Sequence, residues 1–230
     1  MNAFFFVAWP YVAWVLAIVA GIYRYFTARY TYSSLSSEML ASRSLFWGSV
    51  SWHYGIIPIL LAHLLAGVFP SAAAAAVSRP GALLGLEVVG LALAFLSILG
   101  IATLIGRRLG TRSPLRRETS GMDWVLLAVL ALQVVTGAGI ALFVRWGSRW
   151  YPYTAAPWFW SIVRLDPDPA KVAALPGFVQ LHFVSGFLLI ALFPFTRLVH
   201  LVTVPVTYLW RPYQIVSWLG RRGAGRSPMP

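Results

Sequence analysis

Cysteine is missing altogether and charge is scarce: 10% of the 230 residues are Asp, Glu, Lys or Arg, against about 25% in an ordinary soluble domain. The first absence excludes disulfides, a thioether-linked c-type haem and a cysteine-ligated iron–sulfur cluster, so a redox metal has to be held by other side chains. The second leaves too little polar surface to face water on all sides. Acidic residues are rarer still, 6 against 18 basic ones, for a net charge of +12. An excess of that size implies nucleic acid only where the arginines gather on one exposed surface. Here they stand between apolar runs, and no nucleic-acid partner is expected. What the chain does contain is apolar: 59% hydrophobic and 15% aromatic residues, with a mean hydropathy of +0.74. Disorder, collagen and coiled coil are excluded, and an integral membrane protein is expected.

Five apolar runs, at 4–25, 45–69, 83–105, 124–144 and 178–201, reach the ~20 residues that a helix needs to cross ~30 Å of hydrocarbon. The expected fold class is all-α, a polytopic membrane bundle of five transmembrane helices forming a single domain over 1–230. The first run has Arg24 at its far end and no basic residue before it, the reverse of a secretory signal, and is expected to be a retained span. Arg24, Arg29 and Arg43 follow span one, Arg107, Arg108, Arg112, Arg116 and Arg117 follow span three, and Arg211, Arg221, Arg222 and Arg226 lie in the tail. The other side holds Arg79, Arg145, Arg149, Arg164 and Lys171, diluted by Asp166 and Asp168. By the positive-inside rule the N-terminus is outside and the C-terminus cytoplasmic. The connection 146–177 is crowded with Trp146, Trp150, Tyr151, Tyr153, Trp158 and Trp160, and is expected to form an outer interfacial lid with a short helix. The alanine run 72–76 reads as loop. No internal repeat is visible, which argues against an inverted-repeat transporter.

The four histidines fall on two spans, His53 and His63 on the second, His182 and His200 on the fifth. An ionisable group inside a span is costly and calls for a partner. Because the two spans run antiparallel, His63 pairs with His182 near the outer face and His53 with His200 near the inner one. Each pair can give both axial nitrogens to one haem iron; a satisfied polar contact or a proton relay is the competing reading. Zinc would require four ligands on one centre, which two histidines far apart along each helix do not provide. The ten residues from His53 to His63 correspond to ~15 Å of helix, and the eighteen from His182 to His200 to ~27 Å. Straight parallel rods do not match these, but Pro58 and Pro194 lie between the histidines of each span, where a kink absorbs the difference. Gly67 and Gly186 each follow an outer histidine by four residues and offer a flat seat for a porphyrin, or else simple close helix packing. Arg197, three residues before His200, can pair with a haem propionate or snorkel to water.

At these residues the chain resembles the membrane cytochrome b (gamma) subunits of respiratory nitrate reductase, the NarI-type family. The likeness covers nearly the whole length. It is carried by FFFVAWPYV at 4–12, YTYSSLSSEML at 30–40, the histidines ten and eighteen apart, LFPFTRLVH at 192–200 and VPVTYLWRPYQ at 204–214. The resemblance implies two b haems between spans two and five, the distal one on His63 and His182 and the proximal one on His53 and His200. It also implies quinol oxidation near the distal haem and electron delivery to an iron–sulfur beta subunit and a molybdenum-cofactor alpha subunit that reduces nitrate. One departure stands out. Where that family has a lysine near the outer start of the third helix, this chain reads RPGALLGLEVVG. Arg79 or Glu87 is left to serve the quinol, Glu87 as the candidate proton acceptor, although snorkelling to water is the role slightly preferred for it. Rival expectations are the cytochrome b subunit of a sulfite-reductase-linked or heterodisulfide-reductase-like complex, and a transporter that handles haem or protons.

Overall fold

The computed structural model describes residues 3–27, 43–110, 119–144 and 147–201 and, within them, all side chains but those of 43–46, 147 and 200. Its regular elements are helical throughout the described residues. They are α1 (Trp9–Thr27, entered through a π-helical turn at Phe4–Ala8), α2 (Arg43–Val68), α3 (Pro70–Val77), α4 (Pro80–Leu109), α5 (Gly121–Phe143), α6 (Gly147–Trp150), α7 (Ala155–Val163), α8 (Ala170–Ala173) and α9 (Gly177–Leu192). Among the described residues five helices are long and apolar enough to cross a membrane: Phe4–Thr27, Trp47–Val68, Pro80–Leu109, Gly121–Phe143 and Gly177–Phe195. These are spans one to five of the sequence, with shifted ends.

The shifts have local causes. Span three begins at Pro80, whose missing N–H costs nothing in a first turn, and it runs on to end with Arg107 and Arg108 against the carbonyl end of the helix dipole. Span four is started by a capping box in which the Ser120 hydroxyl accepts the Asp123 N–H at 3.2 Å and the Asp123 carboxylate accepts the Ser120 N–H at 3.0 Å. Span five is shorter than the apolar run. Its α-helix ends at Leu192, Pro194 sits in a 3-10 turn at Phe193–Phe195, Thr196 is extended, and a second 3-10 turn, Arg197–Leu201, carries His200. A regular helix over 178–201 is therefore corrected, and with it the ~27 Å rise from His182 to His200. Pro58, by contrast, lies inside an unbroken α2, so the ~15 Å between His53 and His63 stands. The alanine run is also corrected from loop to helix: Pro70 opens α3, and alanine is the best helix former.

The spans pack as an open row. Span two lies on span three, three on four, four on five, and five on one. Spans two and five are not among the closely packed pairs of described elements. Glycine brings spans two and three together: a Cβ on Gly100 would stand 2.4 Å from the Trp52 backbone nitrogen, and one on Gly55 would stand 2.3 Å from the Ser97 hydroxyl. Two apolar cores result. One joins spans two, three and four through Trp52, Ile101, Leu127 and Val134. The other joins spans one and five to the connection between spans four and five, through Phe6, Ala13, Trp158, Ile162, Val172 and Phe187.

Candidate functional site

The connection 147–176 folds back over one end of the bundle as a helical lid, and donated hydrogen bonds fix it there. The Trp158 indole donates to the Phe6 carbonyl at 3.1 Å, which ties the lid to span one. The Trp160 indole donates to the Gly67 carbonyl at 2.8 Å and the Tyr151 hydroxyl to the His63 carbonyl at 3.2 Å, both on span two. The Ser148 N–H donates to the Glu87 carboxylate at 3.1 Å, on span three. Burial pushes the Tyr151 phenol up, so it remains a protonated donor across the neutral range. Another lid donor, the Trp150 indole Nε1, is buried and meets no acceptor among the described residues. The expectation of an aromatic lid with a short helix is met by α6, a 3-10 turn at Tyr151–Tyr153, and α7.

Under this lid stand His63 and His182. His63 Nδ1 donates to the Ile59 carbonyl at 2.8 Å, one turn back on its own helix. Its ring meets Tyr151 edge-on, with centroids 5.7 Å apart, and the side chain is exposed although it belongs to a membrane span. His182 is held by span four. Thr136 Oγ1 is 2.9 Å from its Nδ1, and Gln133 Nε2 is 3.1 Å from its Nε2. The Ser185 hydroxyl donates to Gln133 Oε1 at 2.5 Å. Further along span two, His53 Nδ1 donates to the Ser49 carbonyl at 2.7 Å. The backbone of His200 lies in the turn Arg197–Leu201, and its side chain is outside the described set. Carbonyl partners make Nδ1 the donor on His53 and His63, which leaves Nε2 as the nitrogen suited to a metal, whereas both ring nitrogens of His182 meet span four.

The remaining expected residues fall as follows. Glu87 is 8% exposed and bonded to the lid, so it does not snorkel. Gly67 makes room for the lid: a Cβ there would lie 3.3 Å from the Tyr151 hydroxyl. Gly186 faces span four, where a Cβ would lie 3.4 Å from Gln133 Nε2. Arg197 is at the opposite end of the bundle and pairs with Asp123 at 3.2 Å. Arg29, Arg112, Arg116, Arg117, Arg145, Trp146, the tail arginines and the 30–40 and 204–214 motifs lie outside the described residues. Among the described residues no three His, Cys, Asp or Glu side chains converge on one point, whereas axial ligation of a haem iron takes two. Sequence reasoning missed span four as a wall of this site. Gln133, Thr136 and Gly137 recur at positions i, i+3 and i+4, which share one helix face, and that polar-and-small stripe in an apolar run was the available signal.

Fold and site together define a polytopic membrane protein, helical in its described elements, that presents imidazoles from two spans that are not among its closely packed pairs. The chain belongs to the nitrate reductase gamma subunit family, whose model matches residues 2–219. It is 31% identical over 227 residues to the respiratory nitrate reductase 1 gamma chain of Escherichia coli (strain K12), covering 94% of this chain and 97% of that one. Identity to the nitrate reductase gamma chain of Bacillus subtilis (strain 168) is 29% over 210 residues, covering 90% and 93%. The nitrate reductase-like protein NarX of Mycobacterium tuberculosis (strain ATCC 25618 / H37Rv) is 32% identical over 220 residues, which are 94% of this chain and 34% of NarX. The chain therefore spans about a third of the length of NarX.

Proposed function

We propose that this chain is the dihaem cytochrome b subunit of a respiratory nitrate reductase complex in the inner membrane. It oxidises quinol at the lid end and delivers electrons at the opposite end to an iron–sulfur beta subunit, which serves a molybdenum-cofactor alpha subunit. The observation that carries the reading is the set of imidazole contacts: His53 and His63 commit Nδ1 to a backbone carbonyl and leave Nε2 for a metal, and His182 Nδ1 likewise lies 2.9 Å from an oxygen, that of Thr136. The residues fit a haem. His63 is exposed inside a span, with Nε2 not engaged by the Ile59 bond, and spans two and five are not among the closely packed pairs. His63 and His182 would hold one group near the lid, and His53 and His200 the other. Two b haems, when bound, supply one-electron carriers across the bilayer.

Everything else on the quinol side is done by the chain's own groups. Glu87 is the proton acceptor we assign: its Oε1 is occupied by the Ser148 N–H, while a carboxylate has lone pairs on both oxygens. The Trp150 indole is the lid donor available to a quinol oxygen, the Tyr151 hydroxyl being given to the His63 carbonyl, and the closed lid keeps water from the ring. The lid end faces outward and the Arg107 and Arg108 end inward, by the positive-inside rule. Protons then leave outward while electrons cross inward. Against an inside-negative potential, two electrons crossing the full membrane cost about 4.6 kcal/mol per 100 mV, which the oxidant has to supply. A pyridine haemochrome assay on purified chain is expected to give two b haems, extractable by acid acetone since no cysteine can attach them. Fewer than about two per fully loaded chain overturns the proposal, and one loosely held haem or none supports a transporter instead.

A further inference from the structure

We infer that span four forms a third wall of the lid-end haem site, and that Thr136 is its positioning residue, fixing the tautomer and ring plane of His182. This rests on the haem-binding reading above. The roles of the atoms follow from counting hydrogens. The Thr136 hydroxyl has one proton, and the two carbonyls within its reach are Leu132 at 2.7 Å and Gln133 at 3.1 Å. The Leu132 carbonyl is the shortest of the three contacts and takes that proton, which is thus spent on the helix itself. The 2.9 Å contact to His182 therefore runs the other way, with Nδ1–H donating and Oγ1 accepting.

Two further contacts reinforce the assignment. A Cβ on Gly137 would lie 3.1 Å from His182 Cε1, so the imidazole rests against the bare backbone of span four. The Ser185 hydroxyl reaches Gln133 Oε1 at 2.5 Å and the His182 carbonyl at 3.2 Å; with its proton on the nearer oxygen, Gln133 turns Nε2 to His182 Nε2 at 3.1 Å. A donor at Nε2 and an acceptor at Nδ1 specify the same tautomer from both sides. Iron at Nε2 requires the Gln133 amide to give up that lone pair. The Ser185 hydroxyl, 2% exposed on the same face as His182, remains its partner when it does. His63, by contrast, takes its Nδ1 acceptor from its own helix, so the ligand from span five alone depends on another span. An acceptor on Nδ1–H makes the opposite nitrogen more basic and favours the ferric state.

The test uses the haem-loaded chain in its complex and reads the two haem potentials separately, with the low-spin ferric electron paramagnetic resonance signal as a second readout. Thr136→Val keeps the shape and removes the acceptor, Thr136→Ala removes both, and Thr136→Ser restores the hydroxyl. The expected result is an upward shift of the lid-end haem's potential and a changed ferric signal in the Val and Ala variants. The other haem should be unmoved and the Ser variant should match the parent. Loss of the lid-end haem in Val and Ala but not in Ser supports the same assignment. Parental potentials in both Val and Ala overturn it, as does equal disturbance by Ser, which would make Thr136 a packing residue. Failure of the haem reading itself is distinguishable, because the parent chain would then lack the haem before any substitution is made.

Discussion

At the scale of single residues, the chemistry is set by which polar groups are permitted inside an apolar bundle and what they bond to. Histidines stood out in the sequence because an ionisable residue in a span is rare and calls for a reason. Their partners did not, because a threonine in an apolar helix ordinarily bonds back to its own backbone, and nothing in the one-dimensional pattern says which face meets a neighbour. Glu87 shows the same gap. Its position near the end of span three was legible, while its bond to Ser148, sixty-one residues away, was not. Two predictions belong here. Glu87→Gln retains an amide oxygen to accept the Ser148 N–H, so the lid stays anchored while the proton acceptor is lost. Reduction by quinol is expected to slow by roughly 10²–10⁴-fold, the usual worth of general base catalysis, with haem content and reduction by dithionite unchanged. Normal quinol kinetics would leave Glu87 as a lid anchor only. Replacing His63 and His53 by alanine is expected to remove different components of the reduced haem spectrum, that of His63 abolishing quinol oxidation. Loss of the same component from both variants would rule out the pairing.

At the scale of elements, span existence was legible in hydropathy and span ends were not. The apolar run 178–201 carried no mark of where helix gives way, since Pro194 is compatible with a kinked helix as well as with a stop. The outcome was decided by the following residues, Thr196 turning extended before Arg197–Leu201 resumes as a 3-10 turn. The alanine run misled in the other direction, because a short apolar segment between spans resembles a linker until Pro70 is read as a helix start. Spans two and three are the most intimately joined pair, and the join rests on glycine. A Cβ on Gly100 collides with backbone atoms of Trp52, the residue before His53, at 2.4 and 2.7 Å. Backbone cannot rotate aside, so Gly100→Ala must push the two helices apart. We expect destabilisation of about 1–3 kcal/mol, the usual cost of overpacking. His53 should be displaced with it, read as a weakened or shifted inner-haem signal while the lid-end haem is spared. An unchanged thermal midpoint with an unchanged inner-haem spectrum would show that the interface has more slack than the distances indicate.

At the scale of the whole molecule, the function we propose places two tasks at opposite ends of the bundle. The lid end gathers the aromatic cover, Glu87 and two imidazoles, while the opposite end gathers Arg24 on the Pro194 carbonyl, Arg197 on Asp123, and Arg107 and Arg108. A sidedness of that kind has an electrical consequence that haem content alone cannot reveal. His53 and His63 sit on one unbroken helix, ten residues and hence ~15 Å apart along its axis, or about half of a ~30 Å hydrocarbon core. An electron moving between groups held at those two heights then crosses roughly half the field, about 1.2 kcal/mol per 100 mV. In sealed vesicles with the lid end outside and 100 mV negative inside, the ratio of reduced inner to reduced outer haem is expected to fall roughly sevenfold, and to recover when an ionophore collapses the potential. Vesicles of the opposite orientation should give a rise of the same size. A ratio indifferent to the potential would place both carriers at one depth in the membrane, and the division of labour between the two ends would then lack its electron path.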